Sequence, residues 1–149
     1  MRRALRDPQF WLAAFAAVLL WLLGYLWLQP EPALAWPLQR LREALFVVLV
    51  YPLVEEWLFR GLLQGRLLER PDLRRKAAGL TRANLLTSLV FTGLHFIFHP
   101  PLAAAAVMIP SLIFGHFRDR HGSLHAPILL HMYYNLGYFW IFASRSSAG

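Results

Sequence analysis

Long apolar runs, separated by short polar or proline-rich gaps, predict that the chain is a bundle of membrane-spanning helices. The first run, from Phe10 to Leu28, holds 19 uncharged residues, which is long enough to cross a bilayer. We therefore predict an all-α, polytopic membrane helix bundle of about five transmembrane helices, forming a single domain over residues 1–149. The predicted helices cover residues 10–28, about 38–68, from 83 or 84 to 98, about 102–117 and about 124–143.

The gaps between the runs predict the loops. Gln29 to Pro37 contains three prolines and predicts a turn or short loop. Glu69 to Arg82 is the most polar segment and predicts either the main loop or an interfacial helix, and Arg118 to Ser123 predicts a short loop. Ala33 to Ala35 resembles a signal-peptide cleavage site, but the apolar run before it is too long and too rich in tryptophan for a signal core. We expect the first helix to be retained.

The composition agrees with a membrane protein and excludes several kinds of chemistry. Hydrophobic residues make up 58% of the chain and charged residues 15%, a balance typical of membrane proteins. The absence of cysteine excludes disulfides, thiolate catalysis and cysteine metal sites. The net charge of +7 lies mostly between the apolar runs, where basic residues set topology and contact anionic lipid. We therefore expect the lipid bilayer, and no nucleic acid, as a partner.

The distribution of basic residues predicts the orientation in the membrane. With five spans, eleven Lys and Arg residues fall on the side of the N-terminus, and three, namely Arg40, Arg42 and Arg145, fall on the other. Because positive charge is retained in the cytoplasm, the N-terminus is predicted to be cytoplasmic and the C-terminus to lie outside.

Two glutamates and an arginine interrupt the second apolar run. A charge at the centre of a bilayer costs about 3 kcal/mol, so such residues are candidates for function. Glu56 and Arg60 are four residues apart and can pair on one helix face. Glu55 is rotated by about 100° from Glu56 and has no obvious local partner. Pro52 lies one turn earlier and predicts a kink or a widened turn beside the acidic pair.

Further polar groups lie on the third and last predicted helices. His95 shares a face with Ser88 and Thr92, and His131 shares a face with Asn135. A carboxylate and a histidine can deprotonate a water, while a second histidine and an amide can donate to an oxyanion. These residue types therefore predict a hydrolase that needs no serine or cysteine nucleophile.

Two glycines among the apolar runs predict close packing between helices. Gly93 and Gly115 lack a side chain and are expected to let neighbouring helices approach closely.

The order of these motifs resembles the CAAX-protease and bacteriocin-processing family of intramembrane endopeptidases, also called the ABI family. The resemblance covers about Leu45 to Tyr138 and implies that Glu55 and His95 activate the water. It implies further that His131 and Asn135 form the oxyanion site. The residues that carry the resemblance are Glu55-Glu56-x-x-x-Arg60, Phe91-x-x-x-His95 and His131-x-x-x-Asn135, with Arg120 to Leu124, Pro127 and Ile128 leading to the last motif. The supporting residues it implies are Glu56 and Arg60, which hold the site in shape, and Phe91, which lines the pocket.

The resemblance leaves the cofactor and the substrate open. Glu55, His95 and His131 are acceptable zinc ligands, but no H-E-x-x-H sequence occurs, and we expect no obligatory metal. The chain is shorter than the family's eukaryotic prenyl-protein proteases and lacks their extra spans. A prenylated CAAX substrate is therefore disfavoured, and we expect a protein of the bacterial inner membrane that cleaves a membrane-associated or exported peptide, for example by removing a C-terminal sorting tail.

Two other functions remain as alternatives. A non-catalytic membrane protein of the immunity or scaffold type could bind a peptide with the same residues. A haem-binding protein could use His95 and His131 as axial ligands, although this leaves Glu55, Glu56 and Asn135 without a role. The sequence makes no prediction of the oligomeric state.

Overall fold

The computed structural model describes residues 2–31 and 35–146, and almost all of its regular structure is helical. Part of the predicted loop from Gln29 to Pro37, including most of the cleavage-site resemblance, lies outside the described residues. The α-helices are α1 (Arg2–Leu5), α2 (Pro8–Leu28), α3 (Trp36–Gln39), α4 (Leu41–Leu45), α5 (Tyr51–Glu56), α6 (Gln64–Leu67), α7 (Arg82–His95), α8 (Pro101–Ala106), α9 (Met108–His121) and α10 (His125–Ser146). Two π-helical segments, π1 (Phe46–Val50) and π2 (Trp57–Leu63), also occur.

The first predicted helix is confirmed as α2, with a start two residues earlier than predicted. Asp7 caps the helix, because its side chain accepts a hydrogen bond from the backbone N–H of Gln9 at 3.0 Å. Pro8 occupies the first helical position, where a missing N–H costs nothing. The helix ends at Leu28, and Gln29 caps it with a left-handed backbone and an N–H that bonds to the carbonyl of Tyr25.

The second predicted helix is present but is not a uniform α-helix. Its first turn, α3, is separated at Arg40 from a continuous helical stretch over residues 41–67, which we call the motif helix. The motif helix alternates between α and π geometry, in the order α4, π1, α5, π2 and α6. The widened turn predicted near Pro52 is therefore confirmed, since π1 ends two residues before that proline.

The polar segment after the motif helix is a loop with a small hairpin, so the interfacial-helix alternative was wrong. Strands β1 (Lys76–Ala77) and β2 (Leu80–Thr81) pair antiparallel, with Lys76 opposite Thr81. The two turn residues, Ala78 and Gly79, both have positive φ, as a two-residue hairpin turn requires. This pair of strands is a minor addition to the predicted all-α class.

Helix α7 ends at His95, three residues before the predicted end. The N–H groups of residues 96–98 bond to carbonyls three residues back, which tightens the chain after the helix. The fourth predicted helix is divided at Val107 into α8 and α9. It also continues to His121 through most of the predicted loop, and ends at Gly122 with a φ of 63°. The last helix, α10, is confirmed within a few residues.

Helix α10 organises the packing. It lies against α2, α9 and the first half of the motif helix, while α7 packs on α9 and on the second half of the motif helix. Gly115 is a contact point as predicted, because a Cβ there would lie 1.9 Å from Asn84 Oδ1. The same expectation for Gly93 was wrong, since a Cβ there would meet no atom of the described residues within 4 Å. The larger buried cluster contains Phe10, Ala17, Phe114, Phe117, Leu130 and Tyr134, among others.

Two stretches among the described residues are long and apolar enough to cross a membrane: Pro8–Leu28 and Pro101–His121. Most large side chains of α2 are exposed, for example Trp11, Leu12 and Phe15, as expected of a helix that faces lipid. The predicted count of five spans stays a prediction.

Several basic segments lie at one end of the bundle. Arg120 binds the Asp7 carboxylate, and Thr81 donates to Asp119 at 2.7 Å. These contacts bring the N-terminal segment, the hairpin loop and the end of α9 together. The bond from Arg120 holds the pKa of Asp7 below its ordinary value. The side of the membrane on which these segments lie stays a prediction.

Candidate active site

One polar residue from each of the three motifs lies against Phe91, which is 2% exposed. Its ring centroid lies 4.6 Å from that of His95, on the same helix, and 6.1 Å from that of His131, on α10. From the motif helix, the guanidinium of Arg60 lies over the Phe91 ring at 4.7 Å, and the ring of Phe59 packs edge-on against it. Phe91 therefore packs against polar groups from the motif helix, α7 and α10, and its predicted role in lining a substrate pocket stays a prediction.

Glu56 joins the motif helix to α10. Its Oε1 accepts a hydrogen bond from Arg60 at 3.0 Å, which confirms the predicted i, i+4 pair. The same oxygen lies 2.8 Å from His131 Nδ1. Because a carboxylate oxygen can only accept, the proton between them is on His131 Nδ1. Glu56 and Arg60 have no exposed side-chain surface, so the pair fixes the imidazole from inside the bundle.

Arg60 is held from three sides. Besides its bond to Glu56, its guanidinium donates to the carbonyl of Ser111 at 2.9 Å and to Ser111 Oγ at 2.7 Å. Phe91 and Phe114 lie against its faces, an arrangement that favours a guanidinium through cation–π attraction. Arg60 thus ties the motif helix to α9 as well as to its own glutamate.

Glu55 faces the other nitrogen of His131. The distance from Glu55 Oε2 to His131 Nε2 is 3.5 Å, and the Glu55 side chain is 32% exposed. The carboxylate that lacked a partner on its own helix therefore meets one from α10. His131 lies between two glutamates, of which Glu56 is fully buried and Glu55 is partly exposed.

His95 lies beside this group, on α7. Its Nδ1 is 2.8 Å from the carbonyl of Phe91, one turn earlier, and since a carbonyl only accepts, the proton is on Nδ1. The neutral ring then presents an unprotonated Nε2. Among the described residues, no hydrogen bond or ion pair joins His95 directly to Glu55. The exposed His99 stacks on His95 with a centroid distance of 5.5 Å.

Asn135 lies one turn after His131 on α10. Its Nδ2 donates to the backbone carbonyl of Val47, in π1, at 2.8 Å. One of its two amide hydrogens is therefore used within the protein, and the other is available. The structure places Asn135 beside the motif helix, on the turn before Pro52.

A second buried network, which we did not predict, supports the motif helix. Gln64 Nε2 donates to the carbonyl of Gly115 at 3.0 Å and to Asp119 at 2.7 Å, and Asp119 also accepts from Thr81. The sequence did contain an indication of this network, because Gln64 lies four residues after Arg60 and therefore on the same helix face. The hydrogen bonds between Ser111 and Arg60 could not be predicted from spacing, because the two residues are 51 positions apart in the chain.

Two of the three candidate metal ligands lie close together. His131 Nε2 and Glu55 Oε2 are 3.5 Å apart, while His131 Nδ1 is bonded to Glu56. In the part of the chain that the structure describes, no three His, Asp or Glu residues are grouped as metal ligands. The expected absence of an obligatory metal and the haem alternative both stay predictions.

A helical membrane bundle with a buried Glu–Arg–His cluster next to a half-buried glutamate has the make-up of a hydrolytic site. The sequence model of the family described as type II CAAX prenyl endopeptidase Rce1-like matches residues 36–137. The chain belongs to this family, and as a member it is a membrane protein and a peptide hydrolase of the CAAX type. No curated protein and no solved structure gave a match to the chain.

Proposed function

We propose that the protein is an intramembrane endopeptidase in which Glu55 and His95 activate the water that attacks a peptide bond. The observation that carries the proposal is that Glu55 is partly exposed and has no arginine paired with it among the described residues. Its neighbour Glu56 is fully buried and neutralised by Arg60, whereas the side chain of Glu55 is one-third exposed and lies 3.5 Å from His131 Nε2. Of the two acidic groups, Glu55 alone is accessible to water and substrate.

In the proposed reaction, His95 orients the water and Glu55 removes its proton. With its proton on Nδ1, His95 offers the Nε2 lone pair to one hydrogen of the water. The Glu55 carboxylate accepts the other hydrogen and takes that proton as the water oxygen attacks the substrate carbonyl. A positioned general base is worth about 10²–10⁴ in rate. The protonated Glu55 then returns the proton to the leaving amine.

His131 and Asn135 stabilise the tetrahedral intermediate. In the proposed intermediate, His131 keeps its Nδ1–H bonded to Glu56 and donates from Nε2–H, on the side of Glu55, to the oxyanion. The free amide hydrogen of Asn135 is the second donor. One such donor is worth about 10²–10³ in rate. Glu56 and Arg60 support the site by fixing the ring of His131.

The packing supports entry of a membrane-associated substrate from the side. The motif helix contacts α7 mainly through its second half, whereas its first half packs on α10. The motif helix and α7 are therefore less closely packed near Glu55 and His95. The exposed apolar side chains Leu53 and Val54 flank Glu55 on the motif helix. A peptide anchored in the bilayer can reach the carboxylate along this face.

The proposed substrate is an exported or membrane-anchored peptide with a hydrophobic C-terminal sorting tail, cleaved at the bacterial inner membrane. The proposed orientation keeps the basic end of the bundle in the cytoplasm, where positive charge is retained. The proposed reaction needs no obligatory metal, because Glu55 and His95 themselves supply the two bases that act on the water.

Co-expression with tailed reporter proteins tests the proposal. Wild type should shorten a reporter that has a C-terminal hydrophobic tail, as resolved by mass. Glu55→Gln and His95→Ala should abolish the shortening at equal membrane expression. His99→Ala is the matched control, since His99 is an exposed histidine that stacks on His95; this variant should cleave normally.

The outcome also separates the alternatives. Cleavage that survives in Glu55→Gln at equal expression would rule out Glu55 as the base. Wild type that captures the tailed reporter without shortening it would favour the peptide-binding scaffold.

A further inference from the structure

The π turn before Pro52 leaves one backbone carbonyl without a backbone donor. In π geometry each N–H bonds to the carbonyl five residues back, and the N–H of Tyr51 does so with the carbonyl of Phe46. The next donor in this series would come from residue 52, and its acceptor would be the carbonyl of Val47. Residue 52 is proline, which has no N–H.

The side chain of Asn135 supplies the missing donor. Its Nδ2 lies 2.8 Å from the carbonyl of Val47. Because a partly buried carbonyl without a partner is costly in an apolar bundle, this bond is favoured as long as no backbone N–H competes for the oxygen. The bond also fixes the plane of the amide one turn from His131 on α10.

We propose that Pro52 is a positioning residue for Asn135. By withholding a backbone donor, Pro52 keeps the carbonyl of Val47 open, and this carbonyl orients the amide that faces the substrate. The structural link between Pro52 and Asn135 follows from the bond of Asn135 to the Val47 carbonyl. Its effect on the rate of cleavage rests on the proposed function. An alanine at position 52 would restore the N–H, which would compete with Asn135 for the Val47 carbonyl and release the amide.

A thermal-unfolding cycle on the full-length protein in detergent tests the pairing without relying on activity. The four proteins are wild type, Pro52→Ala, Asn135→Ala and the double variant. In the wild-type background, Asn135→Ala leaves the Val47 carbonyl without a hydrogen-bond donor and should lower Tm. In the Pro52→Ala background the backbone satisfies that carbonyl, so the same change should lower Tm by less than half as much.

A proline elsewhere provides the control for this cycle. Pro110 lies in the first turn of α9, apart from Val47. In the Pro110→Ala background, Asn135→Ala should lower Tm as much as it does in wild type. Equal Tm losses from Asn135→Ala in the wild-type and Pro52→Ala backgrounds would overturn the pairing.

Steady-state kinetics on a cleaved reporter peptide test the effect on rate. Pro52→Ala should lower kcat about tenfold, part of the roughly 10²–10³ that one oxyanion donor supplies, and leave KM within about twofold of wild type. A kcat equal to that of wild type would overturn the positioning role even if the unfolding cycle shows coupling. If wild type cleaves no peptide, the proposed function fails, and the unfolding cycle alone decides whether Pro52 and Asn135 are paired.

Discussion

Arg60 is a full charge inside an apolar bundle, and the surrounding residues make its burial tolerable. Glu56 neutralises it, Ser111 accepts two of its hydrogen bonds, and the ring of Phe91 covers one face. A buried ion pair gains little over an apolar pair, but breaking one is costly because a bare charge remains. Arg60 and Glu56 therefore matter chiefly as a unit that holds His131 in place.

Removing Arg60 should be far more harmful than removing a surface arginine. We expect Arg60→Met to lower the free energy of unfolding by about 3–5 kcal/mol, because the buried Glu56 carboxylate loses its arginine and keeps only its bond to His131. Denaturant titration in detergent measures this. Arg66→Ala, which breaks the exposed pair with Glu69, is the control and should have little effect.

The double variant Glu56→Gln with Arg60→Met should recover part of that loss, since both charges are then gone. An Arg60→Met protein as stable as Arg66→Ala would contradict the role of the buried pair.

Contacts within one helix could be predicted at the level of single residues, and contacts between helices could not. The pairing of Glu56 with Arg60 followed from their spacing and is confirmed. The sequence did not indicate that His131 shares the same Glu56 oxygen, because that contact depends on how α10 lies across the motif helix. The catalytic roles of Glu55 and His95 stay predictions.

At the level of elements, the two π segments lie on either side of the short helix α5, which carries Glu55 and Glu56. π1 ends just before Tyr51 and π2 begins just after Glu56. Each π turn inserts extra backbone into the helix, and such insertions are frequent at functional sites. Pro52 signalled the first segment, but no proline or glycine pair marks the start of the second. The break at Val107 and the early end of α7 were likewise missed, because apolar periodicity continues across both.

The contact between α7 and α9 depends on a glycine at position 115. A Cβ there would lie 1.9 Å from Asn84 Oδ1, and Asn84 is itself fixed by bonds to Leu112 and Ser88. We expect Gly115→Ala to lower the free energy of unfolding by about 1–3 kcal/mol, as overpacking usually does. The measurement is again denaturant titration in detergent.

Gly93→Ala provides the matched control, because Gly93 lies within α7 and no atom of the described residues would meet its Cβ. This variant should gain about 0.5–1 kcal/mol through helix propensity. A Gly115→Ala protein that is as stable as Gly93→Ala would contradict the close approach of α7 and α9.

At the scale of the whole molecule, the pattern of apolar runs predicted the helical class and the positions of the first and last helices. It did not determine the number of spans, because length and hydropathy single out only Pro8–Leu28 and Pro101–His121 among the described residues. The motif helix carries charges and α7 is only 14 residues long, so their depth in the bilayer depends on their neighbours. The site itself is an assembly of three elements, which the order of the motifs predicted better than hydropathy did.

The central claim is that Glu55, without a metal, activates the water for peptide hydrolysis. The most direct test is the kcat of purified, chelator-treated protein on a tailed peptide, with products identified by mass. We predict that wild type retains its activity after chelation and that Glu55→Gln loses at least about 10² of it. Loss of wild-type activity on chelation, restored by zinc, would contradict the claim, as would a Glu55→Gln protein that cleaves at the wild-type rate.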